Sequence, residues 1–289
     1  MSLIHVILLA IVQGLAELLP VSSSAHVVVA EKLLGLDPSS PTMTLLLVML
    51  HTGTMFAVIV YFWRQWKDTY FQSGEVFKRF AVLVILATVL TGVVGEVIIK
   101  IIENTAFNGA PKAEIELLFS HLELVAPALA AAGLLILIAG LYERKNPTGK
   151  MSETSELTTQ QAGIIGVVQG LCLPFRGFSR SGATISAGML SGVAKVRAET
   201  FSFALAVVLT PPVVAREALR LYRAQKENPG VDLHGAVGMS LLGAVFAFFA
   251  GLVALKWLSQ WLEGGRWYLF GIYCLVAAGV VEYLHLQGY

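Results

Sequence analysis

Long apolar stretches dominate this chain and predict helices that cross a membrane. A crossing helix needs about 20 mainly apolar residues, and the windows that meet this need cover residues 44–63, 81–99, 124–142, 200–215, 233–255 and 267–284. The strands of a membrane barrel are shorter, about 10 residues, and alternate in polarity, which these windows do not. The pattern therefore predicts an all-α polytopic membrane protein with about six transmembrane helices.

Two further apolar regions, residues 2–36 and 162–193, are interrupted by residues that break a helix. Pro20 precedes a run of serines in the first region, and Pro174 precedes an Arg- and Ser-rich segment in the second. Each region thus indicates two half-helices around a polar break. Irregular backbone is tolerated at membrane depth only where protein or a water-filled cavity covers it. We therefore predict two re-entrant helical hairpins, with two long kinked spans as the alternative.

The sequence contains an internal repeat. Val-Gln-Gly-Leu at residues 12–15 recurs 156 residues later at residues 168–171, and the same offset carries Ser23 onto Ser179. Each copy continues as a broken region followed by three spans, an odd number of crossings that turns the second copy upside down. We predict one membrane domain made of an inverted repeat, approximately residues 1–143 and 160–289, joined by a polar linker. Broken helices in matching positions of two halves point to a binding site near the midplane.

Composition and charge exclude some classes of binding partner and site. Hydrophobic residues make up 56% of the chain and charged residues 13%, and the formal net charge is +1, so no excess of positive charge is available to bind nucleic acid. Cys172 and Cys274 lie in apolar stretches and allow neither a disulfide framework nor a Cys-rich metal site. No Lys or Arg precedes the first apolar stretch, so we expect that segment to be retained rather than cleaved as a signal peptide.

The distribution of Lys and Arg sets the expected orientation. These residues are more numerous in segments 64–79, 144–150, 195–197 and 256–266 than in the loops of the other side, although a basic cluster after the fourth span argues the other way. We therefore place these segments in the cytoplasm. Both termini then lie outside the cytoplasm, and the candidate site opens to the periplasmic side.

The first break carries ionisable groups at a depth where a membrane disfavours them. Gln13 and Glu17 are four residues apart and share one helix face, and Pro20 ends that helix. The segment that follows contributes the side chains of Ser22, Ser23, Ser24 and His26. An ionisable side chain at membrane depth is costly unless it is paired or hydrated, so Glu17 and His26 indicate function. The serines can alternatively serve as N-caps of the next helix.

The second break predicts an anion site. It places hydroxyl groups and a guanidinium at the expected start of a helix, from Ser179, Arg180, Ser181 and Thr184. Free backbone N–H groups, the positive end of the helix dipole and a planar guanidinium all favour phosphate oxygens. Arg176 and Arg180 can instead extend towards lipid head groups. If the repeat brings both breaks together, they surround a phosphate inside the bilayer, which suggests phosphoryl transfer on a lipid.

These motifs resemble those of a known family, the bacterial undecaprenyl-diphosphate phosphatases, also called bacitracin-resistance proteins. The family's Glu/Gln-x-x-x-Glu stretch matches residues 13–17, and its Pro-Val-Ser-Ser-x-x-His segment matches residues 20–26. Its Pro-Gly-x-Ser-Arg-Ser-Gly-x-Thr segment is matched by residues 177–184. The chain departs from the pattern at Gln13, which replaces the first acid, and at Arg176, which stands where Pro usually precedes Gly177.

The resemblance covers essentially the whole chain and implies a function. It implies a multi-pass enzyme of the bacterial inner membrane that hydrolyses undecaprenyl diphosphate to undecaprenyl phosphate and phosphate, which recycles the carrier lipid for cell-wall synthesis. It also implies a divalent cation, Mg²⁺ or Ca²⁺, with Glu17 and Gln13 as candidate ligands. A polyprenyl-phosphate transporter or flippase is the alternative, because inverted repeats suit transport. The expected partners are a polyprenyl diphosphate substrate and membrane lipids, and the oligomeric state, a homodimer included, is left open.

The candidate site residues fall into two groups. The catalytic candidates are Glu17, Ser23, His26 and Arg180. The substrate-binding candidates are Ser22, Ser24, Ser179, Ser181 and Thr184. We predict that Ser23 attacks the terminal phosphorus while His26 or Glu17 takes its proton, and that water then hydrolyses the phosphoserine; direct attack by water activated on His26 is the alternative. For His51, inside a span, a helix-packing role and a site-lining role both stay open.

Overall fold

The computed structural model describes residues 2–37, 40–106, 122–146, 157–227 and 233–287, and over these ranges all regular secondary structure is helical. The helices in these ranges are α1 (Leu3–Leu18), α2 (Ser23–Leu33), α3 (Pro41–Tyr70), α4 (Gly74–Ala106), α5 (Leu122–Lys145), α6 (Thr159–Cys172), α7 (Arg180–Leu190), α8 (Lys195–Glu227), α9 (Leu233–Glu263) and α10 (Trp267–Leu286). The predicted all-α fold is confirmed. The predicted polar linker falls mainly on residues 147–156, which lie outside the described residues.

Among the described helices, six are long and apolar enough to cross a membrane: α3, α4, α5, α8, α9 and α10. Each contains one of the predicted windows, and all but α10 continue beyond it into charged residues, which suit the polar surface of a bilayer. α3, for example, runs on through Arg64 and Asp68, which form an i, i+4 ion pair with an N–O distance of 3.9 Å. The predicted multi-pass membrane protein is thus confirmed.

Both broken regions fold as two short helices around a turn. α1 has 16 residues and α2 has 11, while α6 and α7 have 14 and 11, each fewer than the roughly 20 that a crossing needs. α1 packs against α2, and α6 packs against α7. The placement of these pairs in a bilayer as re-entrant hairpins stays a prediction.

The local sequence explains where the two breaks fall. α1 ends because Leu19, which precedes Pro20, takes extended backbone with a ψ of 150°. Ser22 then adopts a φ of +68°, in the left-handed region that residues other than glycine seldom occupy. In the second break, Gly177 has a φ of +99°, and a Cβ there would collide with the carbonyl oxygen of Val125 on α5. Only glycine fits that position.

Each hairpin packs on a long helix of the opposite half of the chain. α1 lies against α9, and α6 lies against α4. A Cβ at Gly14 would lie 2.6 Å from the Ala250 Cβ, and one at Gly170 would lie 2.7 Å from the Val94 Cβ, too close for any side chain. The repeated Val-Gln-Gly-Leu motif thus supplies the glycine that lets each hairpin approach its neighbour. The inverted orientation of the two halves across a membrane stays a prediction.

Candidate active site

The two breaks meet in the folded chain. The Gly177 N–H donates a hydrogen bond to Ser24 Oγ at 3.2 Å. Arg180 Nη2 donates to Glu17 Oε1 at 2.8 Å. Each of these contacts joins a residue of one hairpin to a residue of the other. The structure therefore brings the two predicted groups of site residues together.

Glu17 is the centre of the site. Its Oε2 accepts hydrogen bonds from Ser23 Oγ at 2.5 Å and from Gln13 Nε2 at 3.2 Å. His51 Nε2 lies 3.7 Å from the same oxygen, and Arg180 occupies the other one. The Glu17 side chain is 16% exposed and that of Arg180 26%, so solvent and salt screen this ion pair only weakly.

The neighbours of Glu17 favour its ionised form. Glu17 lies on α1, outside the six candidate spans. Burial by itself raises the pKa of the carboxyl group, but the electrostatic influence of His51, the charge of Arg180 and the hydrogen bonds from Ser23 and Arg180 outweigh burial and leave the pKa below its ordinary value. An ionised carboxylate only accepts hydrogen bonds. Glu17 is therefore placed to take the hydroxyl proton of Ser23.

Ser23 is the first residue of α2, and the start of this helix lacks a side-chain cap. The N-cap residue Ser22 makes no capping hydrogen bond, and its Oγ lies 3.2 Å from Ser24 Oγ instead. The start of α7 differs, because Ser179 Oγ accepts from the Gly182 N–H at 3.2 Å and caps it. The first N–H groups of a helix have no partner within the helix and carry the positive end of its dipole. The uncapped start of α2 therefore offers a second anion site beside the nucleophile candidate.

His26 contacts neither Ser23 nor Glu17 through a hydrogen bond in the described structure. Its Nδ1 lies 2.8 Å from the Ser22 carbonyl oxygen, and its Nε2 lies 2.7 Å from the hydroxyl oxygen of Tyr273 on α10. Burial lowers the pKa of the His26 imidazole, and the hydrogen bond to Ser22 acts in the opposite direction. Between the two bases that the sequence left open for Ser23, the geometry favours Glu17.

Tyr273 is a site residue that the sequence analysis missed. It lies inside an apolar window that predicts a span, where tyrosine counts among the apolar residues. The only signal was a phenol seven residues into that window. The Tyr273 side chain is 46% exposed, and its hydroxyl oxygen lies 2.7 Å from His26 Nε2.

Two of the predicted substrate ligands hold the breaks in place. Ser181 Oγ donates to the Leu19 carbonyl oxygen at 3.4 Å. The fully buried Thr184 donates to the Arg180 carbonyl oxygen at 2.8 Å, and its Oγ1 lies 2.5 Å from Ser202 Oγ on α8. These bonds fix the backbone that carries Arg180. Their direct contact with phosphate stays a prediction, as it does for Ser179, which is used as a helix cap.

His51 on α3 lines the site. Its Nδ1 lies 2.8 Å from the Leu47 carbonyl oxygen, which can only accept, so Nδ1 carries a hydrogen and Nε2 faces Glu17. A small cavity beside it is bounded also by Glu17, Arg180 and Thr54. Of the two roles that stayed open for His51, the structure favours the site-lining one. A second cavity, at the turn between α3 and α4, contains none of the site residues.

Glu31 and Arg176 lie apart from this cluster. Glu31 is buried on α2, and its Oε1 has no hydrogen-bond partner among the described residues. Burial raises the pKa of Glu31 to about 7, and the charge of Arg176 opposes that rise. Glu31 is eight residues beyond Ser23, about 12 Å along the helix. Arg176, which is exposed, is thus electrostatically coupled to a carboxyl group remote from Ser23.

The donor set of the site suits a hard cation only if substrate completes the ligand shell. No cluster of three or more His, Cys, Asp or Glu side chains occurs in the part of the chain that the structure describes. Mg²⁺, however, is commonly held by one or two carboxylates together with substrate phosphates and water. Glu17 supplies a carboxylate, and Gln13, whose Nε2 points to Glu17, keeps its amide oxygen available. These two residues fit a cation shared with a diphosphate.

Comparisons with known proteins agree with the chemistry of the site. A family model described as bacitracin resistance protein BacA matches residues 6–280. Undecaprenyl-diphosphatase 2 of Acinetobacter baylyi is 58% identical over 285 residues, which are 97% of each chain. The undecaprenyl-diphosphatases of Desulfitobacterium hafniense and Halothermothrix orenii are 29% and 31% identical, over 97% and 96% of this chain and 95% of each of theirs.

Proposed function

The chain belongs to the bacitracin resistance protein BacA family, as its motifs predicted, and from that membership we propose that it is an undecaprenyl-diphosphatase. It is a multi-pass protein of the bacterial inner membrane that hydrolyses undecaprenyl diphosphate to undecaprenyl phosphate and inorganic phosphate. This reaction recycles the carrier lipid for cell-wall synthesis. The observation that carries the proposal is the Glu17 carboxylate, which accepts a hydrogen bond from Ser23 while it is paired with Arg180 of the other hairpin.

The first chemical step is the transfer of the terminal phosphoryl group to Ser23. As Ser23 Oγ forms a bond to the terminal phosphorus, its proton passes to Glu17 Oε2, which is 2.5 Å away. The bond between that phosphorus and the bridging oxygen breaks, and the lipid monophosphate leaves as an anion. A base already in contact with the hydroxyl group makes Ser23 the nucleophile of this account.

Arg180 and the start of α2 offset the charge that develops during this step. The guanidinium has several N–H donors, and its described contact with Glu17 uses Nη2, so other donors can bind phosphate oxygens. The uncapped N–H groups at the start of α2 provide fixed donors on the Ser23 side. Donors that are held in place before the reaction stabilise its transition state most effectively.

The second step releases phosphate from Ser23. Water attacks the phosphorus, a new P–O bond forms and the bond to Ser23 Oγ breaks. Glu17 returns its proton to Ser23, and neutral His26 takes a proton from the water. Direct attack of water on the substrate, without a phosphoserine, is the alternative that the tests on Ser23 distinguish.

A divalent cation belongs to the proposal as a group shared with substrate. Glu17 and the amide oxygen of Gln13 would hold it, and when bound it would offset the negative charge of the diphosphate. The candidate site opens to the periplasmic side in the proposed orientation, which the excess of Lys and Arg in the opposite loops supports. Transport of polyprenyl phosphates is not favoured, because the relatives carry phosphatase names.

The proposal is tested with the purified full-length protein. Phosphate release from undecaprenyl diphosphate is measured in detergent, with and without a chelator and with added Mg²⁺ or Ca²⁺. We expect release that the chelator suppresses and the cation restores. Absence of release under all these conditions, with substrate bound, would instead favour a transporter.

A further inference from the structure

The imidazole of His26 is held at both of its nitrogen atoms. Nδ1 lies 2.8 Å from the Ser22 carbonyl oxygen, and Nε2 lies 2.7 Å from the Tyr273 hydroxyl oxygen. The two rings are nearly parallel, with 11° between their planes. Both distances are ordinary for hydrogen bonds. His26 therefore has one defined orientation, set from its own hairpin on one side and from α10 on the other.

These two contacts define the tautomer of His26. A carbonyl oxygen can only accept, so Nδ1 must carry a hydrogen. In the neutral ring Nε2 is then the acceptor, and the Tyr273 hydroxyl group donates to it. Nε2 is consequently the only atom at which neutral His26 can take up a proton, and Tyr273 is the group that contacts it.

The His26 and Tyr273 pair is separate from the Ser23 and Glu17 pair. Ser23 already has its base, because its hydroxyl group donates to Glu17. His26 is thus not needed for the Ser23 proton, and in the proposed reaction it takes a proton from the attacking water. A base with this task needs its Nε2 lone pair at a fixed place. The Tyr273 hydroxyl group holds that lone pair before the reaction and has to yield it to the attacking water.

α10 is itself anchored where it approaches the first break. The thiol of the buried Cys274 donates to the Pro20 carbonyl oxygen at 3.3 Å. On the neighbouring turn, Gly271 lets α10 approach α5 closely, since a Cβ there would lie 2.6 Å from the Leu137 nitrogen. The backbone on both sides of Tyr273 is therefore anchored. The side chain is 46% exposed, and the hydrogen bond and the parallel ring contact with His26 set its direction.

We propose that Tyr273 is a positioning residue for His26. Its hydroxyl group donates to Nε2, keeps the ring neutral and in one orientation, and releases this hydrogen bond when Nε2 takes the proton of the attacking water. This inference rests on the proposed phosphatase function for its role in turnover. The effect of Tyr273 on the His26 ring does not rest on that function, because it is present without substrate.

The sign of the effect on titration follows from the direction of the hydrogen bond. A donor to Nε2 stabilises the neutral ring and opposes protonation. The ionisable groups that the neighbouring helices bring to this site are Glu17 from α1, His51 from α3, Arg180 from α7, and Cys274 beside Tyr273 on α10. The first three are paired with one another. Loss of the Tyr273 hydroxyl group should therefore raise the pKa of His26.

The experiment compares Tyr273→Phe with Tyr283→Phe, a control on the same helix whose side chain is 61% exposed. Histidine labelled with ¹³C in the ring reports the pKa of His26 by NMR, and the signal is assigned by its loss in His26→Gln. We expect the His26 pKa to rise in Tyr273→Phe alone. The acid limb of the kcat profile should move to higher pH with it, while kcat falls about tenfold and KM changes little.

A double-mutant comparison separates positioning from a general structural effect. In a His26→Ala background, Tyr273→Phe should cost no further activity, since the residue through which it acts is gone. An unchanged His26 pKa in Tyr273→Phe, or an equal loss of activity in both backgrounds, would overturn the proposal. The NMR measurement is decisive even in protein without phosphatase activity, so failure of the proposed function is distinguished from failure of this inference.

Discussion

Arg180 Nη2 donates to Glu17 Oε1 at 2.8 Å, although the two residues are 163 positions apart in the sequence. This contact joins the start of α7 to the end of α1 and so links the two hairpins at the point where their chemistry is concentrated. It also places a guanidinium beside the carboxylate that accepts the Ser23 hydroxyl proton. A phosphate that binds to Arg180 therefore lies next to the nucleophile and its base.

Substitution of Arg180 by Lys tests whether the guanidinium binds phosphate. Lys keeps the charge but loses the planar set of donors, so we expect kcat/KM to fall about a hundredfold, the effect of removing one transition-state donor. Arg64→Lys is the matched control, because Arg64 is exposed and forms its ion pair with Asp68 at the surface. Wild-type kinetics in Arg180→Lys would mean that Arg180 extends towards lipid head groups instead.

Glu17→Gln tests the assignment of the base. The amide keeps nearly the same shape but cannot take the Ser23 proton, so turnover should fall at least about a hundredfold while the protein remains folded. Glu96→Gln provides a control, since Glu96 forms an exposed ion pair with Lys100. Phosphate release and thermal melting are measured on both variants. Near-normal turnover in Glu17→Gln would exclude it as the base.

Gln13 offers a test of the proposed cation. Gln13 Nε2 lies 3.2 Å from Glu17 Oε2. Glu at position 13 would therefore bring a second carboxylate next to that oxygen. Two carboxylates bind a divalent cation more tightly than one. In Gln13→Glu we therefore expect half-maximal activity at a lower Mg²⁺ concentration, and in Gln13→Ala at a higher one. If both variants titrate like the wild type, Gln13 is not a ligand.

The backbone of Ser22 predicts an unusual response to glycine. A φ of +68° costs a residue with a Cβ about 1–3 kcal/mol, and this cost is absent for glycine. Ser22→Gly should therefore melt at a higher temperature than Ser22→Ala. The same pair of variants at Ser40, an N-cap with a φ of −65°, should differ less. If the Gly and Ala variants differ in melting temperature by the same amount at both positions, the backbone at Ser22 is not strained.

Apolar windows and helix breakers were enough to predict the six spans and both breaks. Pro20 disfavours helical backbone at the residue before it, and a run of about 20 apolar residues has few stable alternatives to a spanning helix. Glu17 and His26 were identified because ionisable groups stand out in apolar sequence. These signals depend only on nearby residues, so they can be recognised in the sequence without the structure.

The hydrogen-bond partners of the site residues could not be predicted from the sequence in this way. Ser23 is three residues from His26 and six from Glu17, yet it bonds to Glu17, because Ser22 turns the chain through a left-handed conformation that its residue type does not announce. Tyr273 was missed because its role depends on how α10 packs against the first break. Ser179 was predicted as a phosphate ligand, but its use as the cap of α7 depends on where that helix begins.

The most direct test of the account is the rate of phosphate release by Ser23→Ala compared with Ser179→Ala, with substrate binding measured on both. The two serines are equivalent in the repeat, but Ser23 donates to Glu17 whereas Ser179 caps α7. The account predicts that Ser23→Ala binds substrate but loses nearly all turnover, and that Ser179→Ala is only partly impaired. An active Ser23→Ala enzyme, or loss of turnover confined to Ser179→Ala, would contradict it.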